Sequence, residues 1–325
     1  MVEGVSRRSF IARAGVAAAA CAAPSVFGMA SASNSPFKIA VISDEISQDF
    51  DHACSVIAND FGLHWVEIRE MWGKNLQGST DAEISEAQEI LAKYKLQVTD
   101  IASPLFKVDW PGAPKSQYGS KKDMHGADEA TYKHQDEIVE RSISLAKQFK
   151  TDKIRCFDFW RLDDVAPYRA AIDEKLRATA EIVGKQGLLL VIENEFACNT
   201  ATGREAAKVL AAIQSPYFAL NWDPGNAVMR GEMDAFPGGW DGLPKNRIHH
   251  CHCKNAVKDA AGKIVWSPVD KGYIDWTAQF RALKAAGYRD AVCLEMHWRG
   301  AGTPEASTRI SWAGMKKCLI DAGTF

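Results

Sequence analysis

LLLVIENEFACNTATGREAAKVLAAIQSPYFALNWD, residues 188–223, holds one whole unit of the fold. It opens on an apolar, β-rich run, LLLVIE (188–193), and closes on another, YFALNWD (217–223). Between them, Thr202 followed by Glu205 is the start signal of a capped helix over 202–213. Each β run ends on a carboxylate, Glu193 and Asp223, 30 residues apart. An eight-stranded (β/α) barrel spends about 30 residues per strand–helix unit and places its chemistry at the C-terminal strand ends.

The same pattern continues outward. RIHHCH (247–252) and AVCLE (291–295) end on His252 and Glu295, at further spacings of 29 and 43 residues. Strand candidates fall at 38–43, 64–69, 97–102, 153–158, 188–193, 217–223, 247–253 and 291–296. Amphipathic stretches lie between them, such as 80–95, which opens with the capping pair Thr80 and Glu83. Eight alternations with no second domain's worth of sequence left over predict a single (β/α)8 TIM barrel of parallel strands. A dinucleotide-binding open sheet is excluded, because Ser43-Asp44-Glu45-Ile46-Ser47 stands where its Gly-rich turn would be. One connection is oversized: residues 103–130, rich in Gly, Pro, Lys and Asp, which predicts a lid over the barrel mouth.

Strand alternation sorts the side chains. If His252 points into the barrel, so do His250 and Lys254, while His249, Cys251 and Cys253 face the helices. That tells against a zinc site made of Cys251, His252 and Cys253. Glu193 and Glu195 share the inward face, as do Cys293, Glu295 and His297. Three buried carboxylates without a cation would be very costly, so Glu193, Asp223, His252 and Glu295 are expected to hold one divalent metal. The donor set favours Mn2+ or Mg2+, with Co2+ or Zn2+ as alternatives. Ten tryptophans, among them Trp72, Trp110, Trp160, Trp222 and Trp298, suit stacking on sugar faces, and Trp110 of the long loop is a candidate substrate contact. Core packing is the competing role for each.

Ser6-Arg7-Arg8-Ser9-Phe10-Ile11 precedes a small, apolar, alanine-rich stretch that ends at Ala30-Ser31-Ala32. Paired arginines before a weakly hydrophobic run predict a twin-arginine export signal over 1–32, cleaved to leave a mature domain 33–325 in the periplasm or outside the cell. Pro24 and Gly28 break the run, which argues against a membrane anchor, and Cys21 after a row of alanines makes a poor lipoprotein box. Losing three arginines and one glutamate takes the net charge from −2 to −4. A mildly acidic chain without a basic run excludes nucleic acid as a partner. Seven cysteines at 54, 156, 198, 251, 253, 293 and 318 are an odd count without short-loop spacing, so they read as small core residues.

Ile192-Glu193-Asn194, Asn221-Trp222-Asp223-Pro224-Gly225-Asn226, His252-Cys253-Lys254-Asn255 and Leu294-Glu295-Met296-His297 occur in that order. Gly62-Leu63-His64-Trp65-Val66-Glu67 and Gly272-Tyr273-Ile274-Asp275-Trp276 join them. Over residues 37–321 the chain resembles the sugar phosphate isomerase/epimerase superfamily, the xylose isomerase-like barrels. The resemblance implies Glu193, Asp223, His252 and Glu295 as metal ligands and Lys254 and His297 as substrate contacts. Asn226 stands where several epimerases of the superfamily carry histidine. Together with Glu195 and Trp110 it completes the expected substrate-binding set.

The chemistry expected of this constellation is proton abstraction beside a carbonyl, through an enediolate, with Glu193 and Glu295 as the acid/base pair. The predicted activity is a metal-dependent isomerase or epimerase of a non-phosphorylated carbohydrate. The alternative is a metal-dependent lyase or dehydratase on keto-sugars or 3-keto-glycosides. A carbohydrate-binding barrel without catalysis is a third reading, and a homo-oligomer is compatible with all three.

Overall fold

The structure is a computed structural model and describes residues 34–119 and 134–325. Eight parallel strands form one sheet: β1 (Lys38–Val41), β2 (Trp65–Ile68), β3 (Gln97–Ile101), β4 (Lys153–Cys156), β5 (Leu189–Glu193), β6 (Phe218–Trp222), β7 (Ile248–Cys253) and β8 (Ala291–Leu294). Their spatial order is β1-β8-β7-β6-β5-β4-β3-β2. A parallel bridge between Ile42 and Glu67 joins the first and last of that row and closes the ring. These are the eight segments expected from sequence, each shorter by one or two residues at an end.

Each strand is followed by its helix: α1 (Phe50–Ser55), α2 (Asp81–Tyr94), α3 (Gln135–Gln148), α4 (Arg169–Gly184), α5 (Gly203–Ala212), α6 (Pro224–Met229), α7 (Trp276–Ala285) and α8 (Pro304–Asp321). Both sequence-read capping boxes form. Thr80 and Thr202 accept from the backbones of Glu83 and Glu205, whose carboxylates bond back to the cap residues. In α5 the buried positions Ala206, Val209 and Leu210 recur at helical spacing and turn one apolar stripe onto the sheet. The large apolar core therefore lies between strands and helices, where Cys251 and Cys253 sit as buried free thiols.

The inside of the barrel is different. A small apolar group of Ala40, Ile42 and Cys293 gives way to charged and polar side chains from β2, β3, β4 and β7. His250 Nε2 lies 3.4 Å from Glu67 and 3.3 Å from Asp100, both fully buried. Arg155 approaches Glu67 at 3.9 Å. Buried charges persist only when paired, and here the pairing runs around the ring rather than along the chain.

Two connections set the mouth. Of the long 103–130 segment, residues 103–119 are described, and 120–130 lie outside the described residues. The described half is pinned rather than hinged. Leu105, Phe106 and Val108 offer their carbonyls to the backbones of Phe157, Phe159 and Trp160, at 2.9, 3.0 and 2.9 Å, and so form a wall. After β7, a hairpin of Asn255–Lys258 and Ile264–Ser267 carries Trp266 to the mouth. Trp276, from the Gly272–Trp276 motif, donates its indole N–H to the Lys254 carbonyl at 3.0 Å and braces the end of β7. The expected export signal, residues 1–32, lies outside the described residues, and no described helix is long and apolar enough to cross a membrane.

Candidate active site

Glu193 is the last residue of β5, Asp223 follows β6, His252 lies near the end of β7, and Glu295 follows β8. The four come together with one ligand-type atom each, all within 4.8 Å of one another, and all four are buried. Nδ1 of His252 is the focus. It lies 3.4 Å from Glu193 Oε1, 3.7 Å from Asp223 Oδ2 and 3.1 Å from Glu295 Oε2, yet none of these makes a well-formed hydrogen bond to it. A fully buried ring nitrogen facing three carboxylates without a hydrogen-bond partner is the donor arrangement that a divalent cation fits.

The opposite side of the ring fixes its orientation. Nε2 of His252 is 3.1 Å from both oxygens of Glu67. With the Nε2 hydrogen directed to that carboxylate, Nδ1 is left to face the cluster, as outer carboxylates orient ligating histidines elsewhere. Asp223 is also the N-cap of α6: its Oδ1 accepts from the Asn226 backbone at 2.8 Å. Pro224 at the first helical position and Asp223 before it make that turn obligatory locally, which is why the carboxylate stands at the strand end.

Cations back each carboxylate. Arg155 Nη1 lies 3.2 Å from Glu193 Oε2, Arg69 Nη1 3.1 Å from Glu295 Oε1, and Lys254 Nζ 2.7 Å from Asp223 Oδ2, with Glu295 Oε2 as its second partner. Arg69 also binds Asp44 and Glu45, at 2.6 and 2.7 Å, while Arg299 holds the other oxygen of Glu45. Burial alone would raise the carboxyls of this cluster. In Glu193 the His252 and Arg155 charges win and hold it at about 2, and in Glu295 the charges of Lys254 and His252 hold it well below the usual range. Burial would lower the His252 imidazole, but Glu67, Glu295 and Glu193 push it well above its ordinary value. Glu195 goes the other way: burial raises it, and Lys107, 3.9 Å away, offsets only part.

A small cavity, partly open to solvent, lies above Glu193 and Glu295. Its walls include Lys107, Arg155, Phe157, Glu195 and His297. His297 Nε2 is 3.3 Å from Glu295 Oε1 and 3.8 Å from Glu45 Oε1. Thus Glu195 and His297 of the expected substrate set line the cavity, and Lys254 reaches into the carboxylate cluster. Asn226 is one layer out, donating its side-chain amide to Glu193 Oε1 at 3.1 Å. Trp110 packs edge-on against Phe159 at 4.8 Å in the wall. Trp222 is core, fully buried with its indole N–H on Gln279.

Glu67, Arg69, Arg155, Lys107 and Trp266 were not singled out as site residues in the sequence. Arg155 had a signal, since Ile154 and Cys156 on either side are apolar and face the helices. Trp266 had none: it reaches the site through its hairpin, 4.9 Å edge-on from the His297 ring.

The Xylose isomerase-like TIM barrel family model matches residues 56–318. No curated protein matches the chain. Among solved structures, a xylose isomerase-like TIM barrel protein from Mycobacterium smegmatis in complex with magnesium superposes with a TM-score of 0.62 at 15% identity, covering 90% of this chain and all of that one. The probable 3-DHS dehydratase of petrobactin synthesis from Bacillus anthracis gives 0.63 at 19%, covering 87% and 98%. D-psicose 3-epimerase with D-tagatose from Clostridium cellulolyticum gives 0.62 at 16%, covering 88% and 99%.

Proposed function

This chain belongs to the xylose isomerase-like TIM barrel family, and we propose that it is a divalent-metal-dependent isomerase or epimerase of a non-phosphorylated carbohydrate. One observation carries the reading. Glu193 and Glu295 face each other across the unpartnered Nδ1 of His252, directly beneath the cavity. A divalent ion held by Glu193, Asp223, His252 and Glu295 would stabilise the negative charge that develops on a substrate carbonyl oxygen.

The protein's own groups do the proton work. One of the two glutamates, as a carboxylate, takes the proton beside the carbonyl, and the same group can hand it back at the next carbon. Delivery on the opposite face needs the partner glutamate to have first taken a proton of its own from a substrate hydroxyl or from solvent. Arg155 and Arg69 hold the two carboxylates in place, at 3.2 and 3.1 Å. Phe157 supplies an apolar wall that helps keep water from the carbanion. A phosphate finds little here. Arg69, Arg155 and Lys107 in the cavity wall each already face a carboxylate, Glu295, Glu193 and Glu195 respectively. Export by the Arg7-Arg8 signal fits the same preference, since phosphorylated sugars are metabolites of the cell interior. A relative that is a 3-epimerase and one that is a probable dehydratase bracket the chemistry.

Incubating the mature protein and Mn2+ with free sugars and keto-glycosides in deuterated water should exchange one C–H position beside a carbonyl, read by proton NMR. No exchange in any substrate, with metal bound, would overturn the proposal. A second reading, elimination of a β-oxygen, draws on His297, placed 3.3 Å from Glu295 as a proton donor to a leaving group. Loss of the β-substituent in the same spectra separates it from epimerisation.

The outer carboxylate gives a further prediction. Glu67→Gln keeps the shape but removes the charge that holds Nε2 of His252. Mn2+ affinity, measured by titration calorimetry, should fall about 10- to 100-fold, the usual effect of losing a partner behind a ligand.

A further inference from the structure

Lys254 stands two residues after His252, on the same inward face. Its side chain is 1% exposed. Nζ touches Asp223 Oδ2 at 2.7 Å and Glu295 Oε2 more closely still. These are the same two oxygens that face His252 Nδ1, at 3.7 and 3.1 Å. The side chain is steered there from both ends. Its stem lies over Gly225, where a Cβ would come within 2.5 Å of Lys254 Cγ, and its ammonium sits 5.3 Å from the Trp266 ring centroid.

Hard divalent cations bind carboxylate oxygens at about 2.0–2.6 Å. An ion on Asp223 Oδ2 and Glu295 Oε2 and an ammonium on the same two oxygens would be neighbouring cations in a buried site, where their repulsion is poorly screened. Both cannot keep full contact. We infer that Lys254 is a built-in competitor for the metal: its ammonium holds the ligand carboxylates together in the ion-free protein and must withdraw from them as the ion enters. The inference rests on the metal-dependent reading above. It assigns Lys254 a role distinct from touching substrate, because it acts before any substrate is present. It also explains how three carboxylates can converge in a closed barrel before metal is loaded.

The competition is read directly as metal affinity. Chelator-stripped wild type, Lys254→Met and Lys254→Gln would be titrated with Mn2+ by calorimetry, and their melting temperatures compared with and without the ion. Methionine keeps the length of the stem without charge. Glutamine is the fallback if an apolar chain there prevents folding, since its amide can still donate to Asp223 or Glu295. Both variants should bind Mn2+ at least 10-fold more tightly than wild type, and the ion should raise their melting temperature by more. Unchanged or weaker binding in a folded variant overturns the competition while leaving the metal site standing. Absence of Mn2+ binding in wild type and variants alike overturns both together.

Discussion

Asp223→Asn should abolish metal loading at micromolar Mn2+ and bring turnover to background. The substitution is small and keeps the local fold, because asparagine caps a helix about as well as aspartate and α6 retains its N-cap acceptor. What it removes is charge at Oδ2, an oxygen that faces His252 Nδ1 and Lys254. Losing a partner behind a ligand costs about 10- to 100-fold in affinity, so losing a ligand's own charge should cost more than about 100-fold. Titration calorimetry and metal content after dialysis measure this. A proton should accompany the event in wild type. The surrounding carboxylates hold His252 protonated well above its ordinary range, so the ion must displace that proton and should bind more tightly as pH rises toward the raised value. Purified wild type without metal, with activity indifferent to chelator and to Asp223→Asn, would remove the metal from the account.

The clustering of Glu193, Asp223, His252 and Glu295 was legible because each stands at or next to the end of an apolar strand, and strand ends are where a barrel exposes side chains to its mouth. Thr80 and Thr202 with their glutamates marked two helix starts for an equally local reason. What was hidden is pairing across the ring. Glu67 finds His252 at a separation of 185 residues, and Arg69 finds Glu295 at 226. No periodicity reports which inward residue of one strand meets which of another, and registers shift within β2/β3 and β6/β7. The tryptophans show the converse error of composition. Trp222 lies beside Asp223 in sequence but points outward into the core, because side chains alternate along the strand. Trp266 lies 14 residues past His252 and returns to the mouth on a hairpin. The residues expected to touch substrate divide along the same line: Glu195 and His297 line the cavity, whereas Asn226 donates to Glu193 from behind.

Glu193→Gln and Glu295→Gln should each lower turnover by about 100-fold or more, the scale of removing a positioned proton-transfer group. Each glutamine keeps an oxygen that can still reach the cation, so part of the metal should stay bound while the proton work is lost. The two variants differ in what they leave exposed. Without Glu193, the Arg155 guanidinium loses its nearest carboxylate at 3.2 Å, while Glu67 remains 3.9 Å away. Without the Glu295 charge, Arg69 keeps Asp44 and Glu45, but Lys254 keeps only Asp223. Arg155 also keeps the Ala102 and Ser103 carbonyls at 3.1 and 3.4 Å, so each variant leaves one buried cation with a single carboxylate and both should lose stability. For catalysis, wash-in of deuterium from solvent and net conversion are measured separately. In an epimerisation, the glutamate facing the departing proton is needed for wash-in, and its partner mainly for net conversion. In an elimination, the variant lacking the base loses both, while His297→Asn slows only release of the leaving group. Wild-type rates in both glutamine variants at full metal occupancy would leave Glu193 and Glu295 as ligands and move the proton transfer to another residue of the cavity.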